Sequence, residues 1–138
     1  MKTAIFYKSH LGSTKTYAAW IQKKIKANLF LFRQFKKVKI ENYDTVIVAS
    51  GTYIGKMPLV KFLTKAWPYI KDKNIIVIAV GMVSPHDDDS LKSYNSIPEH
   101  IRSSIKYFKL PGKIGDNAPI GQVRPQNLKP VFEYLKRL

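Results

Sequence analysis

Cysteine is absent from the 138 residues. Its absence excludes a disulfide scaffold, a thiolate nucleophile, an iron-sulfur cluster and a cysteine zinc site, and it permits a reducing compartment. Long hydrophobic runs are missing as well: the longest apolar stretch, Ile75 to Val80, falls far short of the roughly 20 residues that cross a bilayer. The opening MKTAIFYKSHLG lacks the hydrophobic region of a signal peptide, so a cytoplasmic protein is expected. No internal repeat, low-complexity tract or Pro/Gly/Ser-rich linker divides the chain, and one domain over residues 1–138 is expected. Acidic residues are scarce, nine against 24 Lys+Arg, and residues 1–40 carry ten basic and no acidic side chains. The resulting formal charge of +15 draws polyanions, or serves only as a solvated basic face.

What is present suffices for a core, with 45% hydrophobic and 12% aromatic residues. Short apolar runs suited to buried parallel strands occur at Thr3 to Tyr7, Leu29 to Phe32, Thr45 to Ala49, Asn74 to Val80 and, most weakly, Tyr107 to Leu110. Between them lie helical patterns: Thr14 to Lys26, stopped by Asn28; a helix from Pro58 that Pro68 should end or kink; a shorter one opened by Pro98; and a terminal one opened by Pro125. Repeated βα units predict an α/β fold, a doubly wound five-stranded parallel sheet of order 2-1-3-4-5. In that order the ligand crevice opens beyond the C-terminal ends of strands 1 and 3, so function is sought in the loops after strands 1, 3 and 4.

The first loop, Ser9-His10-Leu11-Gly12-Ser13-Thr14, runs straight into a helix. Small residues, hydroxyls and a helix N-terminus suit a phosphate, although ordinary capping by Ser13 or Thr14 reads equally well. It has neither the GKS/T ending of a P-loop nor G-x-G-x-x-G, which argues against an NTPase and a dinucleotide fingerprint. The second, Ser50-Gly51-Thr52-Tyr53-Ile54-Gly55-Lys56-Met57-Pro58, offers Tyr53 as a rigid plate at the rim. The third, Gly81-Met82-Val83-Ser84-Pro85-His86-Asp87-Asp88-Asp89-Ser90, is read as irregular and faces the second across the crevice.

At these loops the chain resembles flavodoxin-like FMN-binding domains. The elements that match are MKTAIFYKSHLGSTKTYA, Tyr43-Asp44 before strand 3, ASGTYIGKMPLVKFL and IKYFKLPGKI, in matching order over most of the chain. GTYIGKM followed by a K-F-L helix is similar to short flavodoxin-domain proteins related to menaquinone-dependent protoporphyrinogen dehydrogenase. The resemblance implies a flavodoxin-like fold and an FMN cofactor, its phosphate held by Ser9, His10, Leu11, Gly12, Ser13 and Thr14. Thr52, Tyr53, Ile54 and Gly55 would line the isoalloxazine, and Gly81, Met82 and Val83 would approach its pyrimidine edge. Two departures stand out: His10 replaces a small or hydroxyl residue, and residues 81–90 lack the aromatic that covers the outer flavin face in many flavodoxins. Residues 111–124 fit the family poorly and are left unassigned.

Other residues are read more plainly. His86 with Asp87, Asp88 and Asp89 forms a solvated acidic loop in preference to a cation site, so no metal is expected. His10 either tunes the phosphate or is passive, His100 lies on the polar side of a short helix, and Trp20 and Trp67 serve packing. No Ser, His and acid spacing marks a hydrolase, and no residue need act as catalytic acid or base.

The leading expectation is an FMN-dependent electron-transfer protein or oxidoreductase. The flavin carries the electron chemistry. Lys8, Lys15 and Lys56 lie in or beside the site; one cation at about 8 Å contributes roughly 0.5–2 kcal/mol and raises the potential above that of an acidic flavodoxin, with Asp87, Asp88 and Asp89 partly opposing. Turnover of a porphyrinogen or quinone is the enzymatic alternative. A different class of alternative is a basic binding module that has lost its flavin. Partners expected are an acidic redox protein or an anionic membrane surface; nucleic acid is disfavoured, because Arg is scarce beside Lys and no nucleic-acid motif occurs.

Overall fold

Burial on both faces explains why the central strands read as continuous apolar runs. The computed structural model describes residues 1–9, 12–53, 56–81, 88–112 and 122–138. Strands β1 (Thr3–Lys8), β2 (Asn28–Leu31), β3 (Thr45–Gly51), β4 (Asn74–Gly81) and β5 (Lys106–Pro111) pair in parallel in the order β2-β1-β3-β4-β5. This is the flavodoxin-like, doubly wound α/β fold expected above.

Period-two alternation sorts the core into two halves. Ala4, Phe6, Val46, Val48, Ile75 and Val77 point to one side, where α2 (Pro58–Ile70) lays down Leu59, Phe62, Leu63, Ala66 and Ile70. On that side the chain also packs α3 (Asp88–Asn95) and the single turn α4 (Glu99–Arg102), with Ile97 and Ile101 fully buried. Ile5, Ile47, Ile76 and Ile78 point the other way, against Tyr17, Ala18 and Ile21 of α1 (Ser13–Ile25) and Val131 and Leu135 of α5 (Lys129–Leu135).

Several local expectations are corrected. Helix α1 is stopped by Lys26, which adopts a left-handed conformation (φ 56°), while Asn28 opens β2 and donates its side-chain amide to the Tyr43 hydroxyl. Phe32 leaves the strand for a 3₁₀ turn, Phe32–Lys37, that folds over the α2 side of the sheet. Of the two outcomes expected at Pro68, an end at the proline itself is not seen, since the helix runs two residues further, to Ile70. A proline inside a helix costs about 3 kcal/mol, and full burial of Ile70 recovers about 1.5–3 kcal/mol, with half-buried Trp67 adding contact in the same turn. Asp88 and Asp89, read as loop, occupy the first turn of α3, where carboxylates favour the helix dipole. Pro98 introduces only the four-residue α4, and Pro125 opens a 3₁₀ turn, Pro125–Leu128, before α5 begins at Lys129.

The α2 side is aromatic. Phe62 stacks on Phe32 (centroids 4.3 Å, interplanar 13°) and contacts Phe6 and Phe35 at 5.4 Å each. Phe62→Ala is therefore expected to lower the unfolding free energy by about 3–5 kcal/mol in a denaturant titration. A loss below about 1 kcal/mol would fall short even of the area the ring buries and would contradict its packing in this cluster.

Candidate functional site

Four strands end level with one another, Lys8 of β1 opposite Ser50 of β3, Gly51 of β3 opposite Val80 of β4, and Gly81 of β4 opposite Pro111 of β5. That register delivers their loops to one edge of the sheet. After β1 the Gly12 backbone N–H donates to Ser9 Oγ (3.1 Å), and Gly12 itself turns through φ 90°, a conformation that favours glycine. Gly12, as the N-cap of α1, has no side chain to accept a capping hydrogen bond, and the first turn of the helix carries no acidic residue. Ser13 and Thr14 are buried there, and Thr16 Oγ1 donates back to the Gly12 carbonyl at 2.9 Å. The N-terminus of α1 carries the positive end of the helix dipole, and the exposed Lys8 and Lys15 lie close to it along the chain.

After β3, Ser50 Oγ accepts the backbone N–H of Leu59 at 3.3 Å, so a strand residue supplies a hydrogen-bond acceptor to the start of α2. The chain between them closes on itself: Tyr53 N–H donates to the Lys56 carbonyl (2.8 Å) and Lys56 N–H to the Tyr53 carbonyl (3.1 Å). The Tyr53 hydroxyl lies 3.0 Å from where a Cβ on Gly51 would stand, so the ring folds back over the end of β3. Tyr53 stays partly exposed, and its partial burial pushes the phenol pKa upward.

The most informative contact was not read from the sequence. Lys109 on β5 is half-buried and donates its Nζ to Thr52 Oγ1 at 3.1 Å, passing the end of β4. A Cβ on Gly81 would lie 2.2 Å from Thr52 Oγ1 and 2.9 Å from Lys109 Nζ. The missing side chain at Gly81 is thus what lets a cation from β5 reach the loop after β3. The Thr52 N–H donates to the Val80 carbonyl (2.9 Å) and the Gly112 N–H to the Gly81 carbonyl (2.9 Å), which fixes both neighbours.

The structure therefore brings together Ser9, Gly12, Ser13 and Thr14 on one loop and Thr52, Tyr53 and Gly81 on the facing pair. His10, Leu11, Ile54, Gly55, Met82 and Val83 lie outside the described residues, as do His86 and Asp87. Lys8, Lys15 and Lys56 are exposed. Beyond β5, Tyr17 is buried, its hydroxyl donating to the Pro111 carbonyl and accepting from Asn127 Nδ2 (2.9 Å), which also donates to the Gln122 carbonyl. This network ties together the flanks of residues 113–121, which lie outside the described residues. Burial raises the Tyr17 phenol pKa, so the hydroxyl remains a donor. Among the described residues no group of three or more His, Cys, Asp or Glu could hold a metal, and no helix is long and apolar enough to cross a membrane.

Gly81→Ala is expected to destabilise the fold by about 1–3 kcal/mol through overpacking, and the cost should shrink in a Thr52→Ala background because the nearest colliding atom is gone. A denaturant double-mutant cycle measures this. Strict additivity would contradict the contact.

Comparison with known proteins follows the same lines. The sequence profile of the flavodoxin domain family matches residues 4–116. No curated protein matches. Among solved structures, the Trp repressor binding protein from Bacillus subtilis is 21% identical with a TM-score of 0.67, covering 99% of each chain. Oxidised flavodoxin 2 from Bacillus cereus is 15% identical with a TM-score of 0.69, covering 100% of both. An acetyl xylan esterase from the rumen bacterium Butyrivibrio proteoclasticus also superposes (TM-score 0.58, 13% identity, 99% of this chain and 64% of that one), so the fold alone does not select a chemistry. The profile match over residues 4–116, on a sheet of this order, shows that the chain belongs to the flavodoxin domain family.

Proposed function

We propose that this crevice holds FMN and that the protein transfers electrons through it, from a reductase to an acidic acceptor protein. The observation that carries the reading is the donor set at the sheet edge. A left-handed glycine leads into the N-terminus of α1 at one end, and a glycine without room for a Cβ sits beside a half-buried lysine at the other. Such a set fits a group with a phosphate at one end and a polar, electron-accepting ring at the other. Ser9, His10, Leu11, Gly12, Ser13 and Thr14 would hold the phosphate. Thr52, Tyr53, Ile54 and Gly55 would line the ring, and Gly81, Met82 and Val83 its polar edge.

When bound, the flavin supplies the redox chemistry. The chain's own part is to seat the phosphate, exclude water from the ring and set the local field. Lys109 adds a cation to that field, and being half-buried it is screened less than exposed Lys8, Lys15 and Lys56. A fixed cation favours the more negative, reduced form of a ligand and so raises its potential, by roughly 0.5–2 kcal/mol per charge at about 8 Å.

Two measurements check the reading. After incubation with FMN and desalting, the purified protein should keep the flavin's visible absorption band; colourless protein that binds duplex DNA with a steep salt slope would overturn it. In the flavin-loaded protein, Lys109→Gln is expected to make the midpoint potential more negative. An unchanged or higher potential would remove Lys109 from the site.

A further inference from the structure

On the α2 side, beside the crevice, two open clefts of about 650 and 760 Å³ lie on either side of the stacked pair Phe32 and Phe62. Phe32, Phe62, Arg33 and Lys65 line both clefts, so the two form one continuous groove with an aromatic ridge at its middle. Its floor is apolar, extended by Phe35 and by Tyr69, whose rings lie 6.2 Å apart. Its rim is cationic: Lys8, Arg33, Lys36, Lys61 and Lys65 are all exposed, and among the described residues none of their side chains has an ion-pair or hydrogen-bond partner. Glu41 is the one carboxylate in the lining.

We propose that this groove is the docking surface for an acidic segment of a partner protein that inserts an apolar side chain beside the Phe32 and Phe62 ridge. Charge complementarity commits the occupant to an anion, and the apolar floor commits it to one with a hydrophobic anchor. Apolar and aromatic residues at the centre with cations at the rim is the anatomy of a steered protein interface. The alternatives fit less well. Stacked on each other, Phe32 and Phe62 do not offer two open faces to nucleic-acid bases. Phe62 is recessed at 9% exposure and, of the apolar lining, Tyr69 alone protrudes, whereas a membrane-seeking surface needs a whole apolar face to do so. A small-molecule pocket would place neutral polar groups inside to fix orientation, and the polar groups here are charges at the rim.

One end of the groove is Lys8, directly before Ser9, and Pro58, the first residue of α2 after the loop that begins at Thr52. A partner seated there abuts the proposed flavin crevice. Its purpose in electron transfer rests on the reading above, but the binding itself does not.

The test uses the full chain, with and without FMN, and fluorescently labelled poly(Glu,Tyr) copolymer as probe, against polyglutamate of matched length. Fluorescence anisotropy should show the copolymer binding at least about tenfold more tightly, because carboxylates alone leave the apolar floor uncovered. Lys61→Glu with Lys65→Glu, both on α2, should weaken copolymer binding at least about tenfold, while Lys24→Glu with Lys129→Glu on the opposite helices should cost less than about threefold. Equal losses from the two pairs would reduce the effect to net charge and overturn the proposal. So would equal affinity for polyglutamate, or tighter groove-dependent binding of phosphatidylglycerol vesicles or duplex DNA. If the α2 pair misfolds by circular dichroism, Lys61→Gln with Lys65→Gln replaces it, with the same direction expected. Loss of flavin retention with groove-dependent copolymer binding intact would fault the flavin reading and leave the groove standing.

Discussion

The absence of a side chain at Gly81 is the constraint on which the crevice turns. β4 lies between β3 and β5, so any residue on β5 that is to meet the loop after β3 must pass the end of β4. With no Cβ there, Lys109 crosses and donates to Thr52; with one, the atom would stand 2.2 Å from the threonine oxygen. Overpacking of that kind costs about 1–3 kcal/mol, a sizeable share of a small domain's stability. Packing and electrostatics therefore meet at one position, because the space that glycine leaves is filled by a charge.

That charge changes what the basic composition means. Most of the surplus cations are exposed and screened, and a surplus spread over the surface gives a field without an address. Two subsets are not spread. Lys109 is half-buried at the C-terminal edge of the sheet, where a ligand is expected, and Arg33, Lys61 and Lys65 surround an aromatic floor toward the β2 side of the sheet. The first acts on whatever occupies the crevice, the second on whatever approaches it. One net charge thus separates into an internal field and a steering surface.

The sheet is legible because burial on both faces writes itself into continuous apolar runs, and the order 2-1-3-4-5 is the one that five strands in about this length favour among doubly wound folds. Helix α3 was not, for a physical reason: its buried positions are Ser90 and Ser93, so the buried face carries no hydrophobic period. Asn28 looked like a helix stop from its residue type, yet Lys26 takes the left-handed turn and Asn28 pairs in β2. Of the candidate site, the loops were found by their chain order after β1, β3 and β4. Ser50 as acceptor for α2 and Lys109 beside Thr52 were missed, since each depends on where separate elements end up; Lys109 is 57 residues from its partner. No local motif carries such a contact, although a lysine inside an otherwise half-buried strand, IKYFKLP, was a signal that a charge had a use there.

The central claim is that the loop from Ser9 to Thr14 seats a phosphate and that the ring lies toward Thr52 and Gly81. Calorimetric titration with FMN and with riboflavin, which differ only in that phosphate, tests it most directly. The account predicts that FMN binds far more tightly than riboflavin and that the difference narrows as salt is raised. Equal affinity for the two, unchanged by salt, would contradict it.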